Sequence, residues 1–282
     1  MVVAVMISTS ASTDAGAVSS AVFGAIVGAI AVLLGGLLNY FTQTKVQKRQ
    51  LKVLREGQFT DLITRAIDHL GSDKIDVRLG GVWVLERLVE SSPDEWRLLS
   101  AVLTAYVQNH APWPPRADRQ PPETTPRGQL QPLRSWAPDV QAVLTVLARR
   151  GAWPGEQLNL VSVDLRMAEL TEAKFEGVLL RRSCLQRAIL HKADLKGAIF
   201  TRSPMQGADL RDAHLKHATL SRSQLDDADL GGAHLEGARI VKFTDLRNAN
   251  LKGAYLSGAK ATRDTTWPPG FEASMHGVVI ED

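Results

Sequence analysis

A large apolar side chain returns at every fifth position from Leu160 to Ile240, in a series that includes Leu165, Leu170, Phe175, Leu180, Phe200, Met205 and Leu210. A helix would repeat its apolar face at about 3.6 residues and a strand at 2, so neither can carry this pattern. Two residues before nearly every large side chain stands a small one, as at Ala168, Ala173, Ser183, Ala188, Ser203 and Ser223. A five-residue unit with one large and one small inward position cannot bury its apolar atoms alone, so it must stack on copies of itself. The predicted fold is therefore mainly β, a solenoid over residues 156–263.

Four of the units read Ala193-Asp194-Leu195, Ala208-Asp209-Leu210, Ala228-Asp229-Leu230 and Ala249-Asn250-Leu251. In these the chain resembles the pentapeptide-repeat family, whose motif is A(D/N)LXX. The resemblance implies a right-handed quadrilateral β-helix with four units to a coil and the small and large residues filling its interior. Some members of that family resemble DNA in charge and shape and bind DNA gyrase, a role that needs a strongly acidic surface. From Glu156 to Lys260 there are 13 Asp and Glu against 16 Lys and Arg, which disfavours gyrase binding here. The register slips once: Leu246 follows Ile240 by six positions, so one residue near Phe243 must bulge. The motif ends after Ala259, and in the cap and tail, 264–282, Trp267-Pro268-Pro269-Gly270-Phe271 is expected to close the end of the interior.

Ahead of the repeats, a tail at 1–16 leads into a 25-residue run without charge, Ala17 to Phe41. As a helix it would extend about 37 Å, against roughly 30 Å of bilayer hydrocarbon, and it is predicted to span a membrane. Lys45, Lys48, Arg49, Lys52 and Arg55 follow it while Asp14 precedes it, which places the C-terminal side in the cytoplasm by the positive-inside rule. Ser20, Gly24 and Gly28 form a smooth strip on which a second copy could pack, making a homo-oligomer. The lone cysteine, Cys184, cannot make an internal disulfide, which fits a reducing compartment.

Residues 42–110 are read as a juxtamembrane and α-helical segment. Ile63, Ala66, Ile67 and Leu70 share one helical face, and Leu79, Val82, Val84, Leu85, Leu88 and Val89 mark another helix. A third helix begins with Ser92 as N-cap, Pro93 behind it and Glu95 completing a capping box. Eight prolines between Ala111 and Pro138 predict a linker at 111–138, and Asp139 opens a short helix at 139–151. Through Leu70-Gly71-Ser72-Asp73-Lys74 and Arg78-Leu79-Gly80-Gly81 this segment is similar to the one preceding the repeats in membrane-anchored actinobacterial members of the family.

If four repeats make a coil, residues twenty apart stack at about the 4.8 Å spacing of neighbouring strands. Arg182, Arg202, Arg222 and Lys242 then fall in one column with Arg181 and Arg239 on the same face, and no acid occupies its outward positions. Such a face is either an ordinary solvated one whose carboxylates lie around the corner or one that fits an acidic protein or anionic lipid partner; a net charge of +3 is too mild to mark a nucleic-acid binder, and nucleic acid is not expected. His214 and His234 share a column with Asp194, but such a pair arises easily by chance and no metal site is assigned. Cys184 is expected at an exposed outward position. Without a phosphate-binding glycine loop or a nucleophile with a base, no cofactor or catalytic residue is assigned, and the chain reads as a membrane-anchored interaction scaffold.

Overall fold

The computed structural model describes residues 57–115 and 131–281. The predicted tail, the span Ala17–Phe41 with its Ser20, Gly24 and Gly28 strip, the basic cluster that follows, and residues 116–130 lie outside the described residues. Among the described residues no helix is long and apolar enough to cross a membrane. The chain divides after Asp61, and in the first unit residues 57–61 are described and helical. The second unit, Leu62–Asp282, carries the remaining helices and all of the repeats.

This second unit opens with α1 (62–70), α2 (Ile75–Ser91) and α3 (Trp96–His110), and resumes with α4 (Leu133–Trp136) and α5 (Pro138–Arg150). Their shared core holds Val82, Leu85 and Val89 of α2, Leu99, Leu103 and Val107 of α3, and Val143, Leu144 and Leu147 of α5. Gly81 sets the approach of α2 to α1. A methyl there would lie 2.8 Å from the Ala66 carbonyl oxygen, closer than any real contact.

One buried ion pair ties three helices together. Asp139 of α5 accepts hydrogen bonds from Arg78 Nε of α2 at 2.7 Å and from the Tyr106 hydroxyl of α3 at 2.5 Å. Burial opposes the charge on Asp139, yet the bonds from Tyr106 and Arg78 outweigh it and hold the carboxyl below its usual range. Burial and the bond to Asp139 push the Tyr106 phenol far above its ordinary value.

Several local expectations differ from the structure. Ser92 makes no side-chain cap; Pro93–Glu95 form a 3₁₀ turn closed by the Ser92 carbonyl, which accepts from the Glu95 amide. The proline-rich stretch is ordered at both described ends. Pro112 bridges Val163, and Pro132 leads into α4, where four residues without proline suffice for one turn. Asp139 does not start α5, because Pro138 is its first residue, and its carboxylate serves the ion pair instead.

From residue 159 the chain winds in coils. Parallel bridges link Asp194 to His214 and His214 to His234, twenty residues apart, and the same interval recurs on other faces. The corners follow from a backbone condition. In Leu180-Arg181-Arg182-Ser183 the Ser183 amide donates to the Leu180 carbonyl at 3.2 Å and Arg182 takes φ 57°, which makes a type II turn. A left-handed residue recurs every five positions from Ser162 to Lys242, giving four corners per coil. Beyond Lys242 the left-handed Phe243 is the extra residue, 69% exposed, and bridges thereafter join residues 21 apart, as Gln224 to Asp245 and His234 to Tyr255. The bulge expected near Phe243 is present.

The large and small residues fill the interior, with Leu165, Phe175, Phe200, Met205, Leu210 and Leu215 fully buried. Along one corner the small positions carry hydroxyls. Ser183, Ser203 and Ser223 donate to the carbonyls of Leu160, Leu180 and Phe200 at 2.6, 2.6 and 2.5 Å, and Thr244 and Thr265 continue to Leu220 and Ile240. Each hydroxyl is thus satisfied on the preceding coil, which makes a polar atom tolerable in an apolar core.

Both ends of the coil stack are covered. In regular coils the amides of Cys184, Ile189 and Asp194 donate to Val163, Ala168 and Ala173 of the coil before. For the first coil no such coil exists, and the helices substitute for it. The Asp164 amide donates to the Ala111 carbonyl at 2.7 Å and that of Lys174 to Ala148 at 2.8 Å, both just past or within helix C-termini. Glu169 completes the edge, its amide bonding Gln141 Oε1 at 3.0 Å while Gln141 Nε2 donates to the Glu169 carbonyl. At the far end three short strands, β1 (Arg239–Ile240), β2 (Lys260–Thr262) and β3 (Val279–Glu281), pair in parallel. The ladder continues past Ala259, because Asp245 bridges Thr266. Trp267 and Phe271 stack as part of the cap, joined by His276, while Ala273 and Val278 supply its buried atoms.

Two outcomes are expected. Leu210→Ala removes about 2–5 kcal/mol of stability, while Arg211→Ala beside it changes little, since Arg211 is exposed; equal losses in thermal melts contradict the register. Asp139→Ala costs about 3 kcal/mol by stranding Arg78 and Tyr106. Because folding lowers the Asp139 pKa, its contribution is present above pH about 4 and is lost as pH falls through the lower folded-state value. An acid titration of wild type against Asp139→Asn reads that difference, and parallel acid-unfolding curves would exclude it.

Candidate functional site

In each unit the two residues after the large apolar one form the corner and point outward, so every corner repeats as two surface columns. On one corner the first column is Val161, Arg181, Thr201, Ser221 and Val241, and the second carries Arg182, Arg202, Arg222 and Lys242. Main-chain bonds fix the alignment: the amides of Arg182, Arg202 and Arg222 donate to the carbonyls of Thr201, Ser221 and Val241. These nine residues together with Arg239 line a single cavity of about 640 Å³. All six predicted cations, Arg181, Arg182, Arg202, Arg222, Arg239 and Lys242, are brought together there, each exposed, and no acid is among the lining residues.

Among the described residues none of these six cations forms an ion pair or a side-chain hydrogen bond. Elsewhere on the solenoid several cations are paired. Arg211 meets Asp209 at 2.6 Å, Arg247 meets Asp245 at 2.6 Å, Arg166 meets Asp164 at 2.7 Å and Lys196 meets Asp194 at 3.5 Å. The hydrogen bonds from Arg211 and Arg247 hold the carboxyls of Asp209 and Asp245 below their usual range. The cause of the contrast lies in the motif. An Asp immediately before the large residue points outward and reaches the cation two positions later, across the buried side chain. On the basic face the positions before the large residue are Leu179, Ile199, Thr219 and Arg239, so the motif places no carboxylate beside these cations, and Asp264 and Glu281 act on Arg222 and Arg239 only through space, without an ion pair. Neighbouring cations about 4.8 Å apart repel by roughly 1 kcal/mol in water, less with salt.

Two polar groups on this face carried no signal in the charge pattern. Thr201 and Ser221 lie in the first column between the cations, and their hydroxyls have no hydrogen-bond partner among the described residues. Ser221 is 9% exposed, yet it lacks the carbonyl partner that Ser203 and Ser223 beside it have.

The histidine column is an aromatic stack. His214 meets His234 edge-on at 5.2 Å between ring centres, and His234 lies flat on Tyr255 at 4.6 Å. Asp194 is engaged by Lys196, and among the described residues no cluster of three metal-ligating side chains occurs. The expectation for Cys184 is corrected: the thiol is fully buried, and burial pushes its pKa up to about 12. Its sulfur donates to Gln186 Oε1 at 3.6 Å and feels the charges of Asp164 and Arg166, and burial holds it in the thiol form at neutral pH, the opposite of an activated nucleophile.

Comparisons with known proteins concern the repeats. The family model for pentapeptide repeats matches in eight copies, over residues 164–202, 205–240 and 242–263. No curated protein matches significantly. A pentapeptide repeat protein from Nostoc Pcc 7120, solved at 1.7 Å, is 34% identical over 35% of this chain and 84% of its own, with a TM-score of 0.20. A pentapeptide repeat protein of the Arabidopsis thaliana thylakoid lumen is 21% identical over 43% of this chain and 56% of its own, with a TM-score of 0.17. QnrB1, a plasmid-mediated fluoroquinolone resistance protein, is 15% identical over 42% of this chain and 80% of its own, with a TM-score of 0.24. With eight motif copies on coils of twenty residues, and a relative 34% identical over most of that relative's length, the chain belongs to the pentapeptide-repeat family.

Proposed function

We propose that this chain is a non-enzymatic interaction scaffold, anchored by a single membrane span at Ala17–Phe41, which presents its β-helix in the cytoplasm to an anionic partner. The observation that carries the proposal is the acid-free groove, where six cations converge without ion pairs. A fold gains nothing from stacking like charges, so a face of this kind is best used when an opposite charge arrives from outside. The sign also separates this chain from DNA mimicry, which requires acidic faces. The anchor rests on the length of the uncharged run and on the Lys45 to Arg55 cluster after it, and the Ser20, Gly24 and Gly28 strip supports self-association within the membrane.

The binding proposal is tested with the full chain held in neutral lipid nanodiscs. Replacing Arg182, Arg202, Arg222 and Lys242 together by Gln is expected to weaken capture of polyglutamate and of phosphatidylglycerol vesicles at low salt, with the difference shrinking as salt rises. The melting temperature of that variant stays level or rises as repulsion is relieved. Unchanged capture removes the groove from the function, and a lower melting temperature makes the column structural instead. Orientation is tested separately. A reporter fused after Asp282 is expected to be active in the cytoplasm only, and activity outside it refutes the topology.

A further inference from the structure

Resting on the reading of the basic groove as an anion site, we propose that its ligand is a compact, multiply phosphorylated group held between Arg182 and Lys242. Three features of the groove point to phosphate, beginning with charge density. Six cations line about 640 Å³, a volume in the range of small-molecule sites. Neutralising them with carboxylates takes six separate groups, each on its own carbon, whereas three or four phosphates, at about −1.5 to −2 each, supply the same charge within the groove.

The chemistry of the donors agrees. Five of the six cations are arginines, whose planar forks bind phosphate oxygens through paired N–H bonds, and their side chains are not committed elsewhere. Thr201 and Ser221 add two hydroxyls without internal partners on the same surface, each able to donate to an oxyanion.

The groove is also bounded. Arg182 to Lys242 spans three coil-to-coil steps, about 14 Å at strand spacing. Before Arg182 the same column offers Ser162, whose carbonyl accepts from the Trp113 amide, so the connection after α3 stands at that end. Beyond Lys242 the groove's own lining stops, and a separate pocket formed by Lys242, Thr262, Arg263 and Asp264 brings in the first carboxylate. Near Arg239 the remaining acid, Glu281, is already paired with Lys260 at 2.6 Å. A finite, closed length favours a discrete headgroup or soluble molecule over a long polyanion. No main-chain amide of the column is free to help, since those of Arg182, Arg202 and Arg222 serve the next coil.

The test is calorimetric, on the full chain in neutral nanodiscs, with sodium tripolyphosphate, citrate and polyglutamate as probes. Saturable tripolyphosphate binding is expected, at least about tenfold tighter than citrate. It should fall at least about tenfold in the Arg202→Gln, Arg222→Gln double variant and about fivefold in Thr201→Val, Ser221→Ala. Arg211→Gln, on another face, should leave it unchanged. Citrate binding as well as tripolyphosphate, or an equal loss in Arg211→Gln, overturns the proposal. Groove-dependent binding of polyglutamate without tripolyphosphate overturns it while leaving the anion scaffold standing; loss of groove dependence for every probe removes both. The source is read from inositol trisphosphate compared with vesicles bearing phosphatidylinositol bisphosphate. Equal affinities assign a free ligand, and a vesicle preference assigns a lipid headgroup.

Discussion

The interaction on which the structure depends is the parallel main-chain hydrogen bond between one coil and the next. Each five-residue side of a coil gives one amide backward and two forward, as Ile189 does to Ala168 and as Leu190 and Lys192 do to Asp209 and Arg211. None of these bonds is local. A single coil cannot make them, so the five-residue unit has no stability of its own and exists only as a member of a stack. The apolar column of Leu and Phe then packs as a consequence of the backbone register, and the hydroxyl ladder of Ser183, Ser203 and Ser223 adds one further bond per coil on a single corner.

That dependence makes the surface unusually readable. Because each corner repeats every twenty residues, side chains far apart in sequence become fixed neighbours, and on the basic face one column is made of cations alone, Arg182, Arg202, Arg222 and Lys242. The basic groove and the locally paired Asp209–Arg211 or Asp245–Arg247 surfaces use the same backbone and differ only in which residue precedes the buried leucine. The fold thus separates what keeps the chain together from what it presents to solvent. Substitutions at Arg202 or Arg222 touch the second without reaching the first.

Legibility in the sequence divides along the same line. The period of five located the interior, the bulge at Phe243 and all six groove cations, because in a stack of coils position in sequence translates directly into position in space. Features that depend on contacts between unlike elements were hidden. Cys184 occupies an outward position in the repeat, and its burial near Asp164, Arg166 and Gln186 is something periodicity does not encode. Ser92 has the composition of a cap, but the turn at Pro93 is satisfied by its carbonyl instead. The partnership of Arg78, Tyr106 and Asp139 links residues from three helices whose mutual arrangement no local pattern specifies. Thr201 and Ser221 look like ordinary surface hydroxyls until the unpaired cations on either side are seen in place.

The carbonyls of Ala111 and Ala148 and the side chain of Gln141 occupy the acceptor positions that an earlier coil would have filled. All three precede the first coil in the chain, so in a nascent protein the surface that receives that coil is synthesised before it. Each later coil likewise emerges after the one on which it rests. The molecule resembles a crystal grown from a seed in its order of assembly, and the direction of translation is also the direction in which the lattice extends.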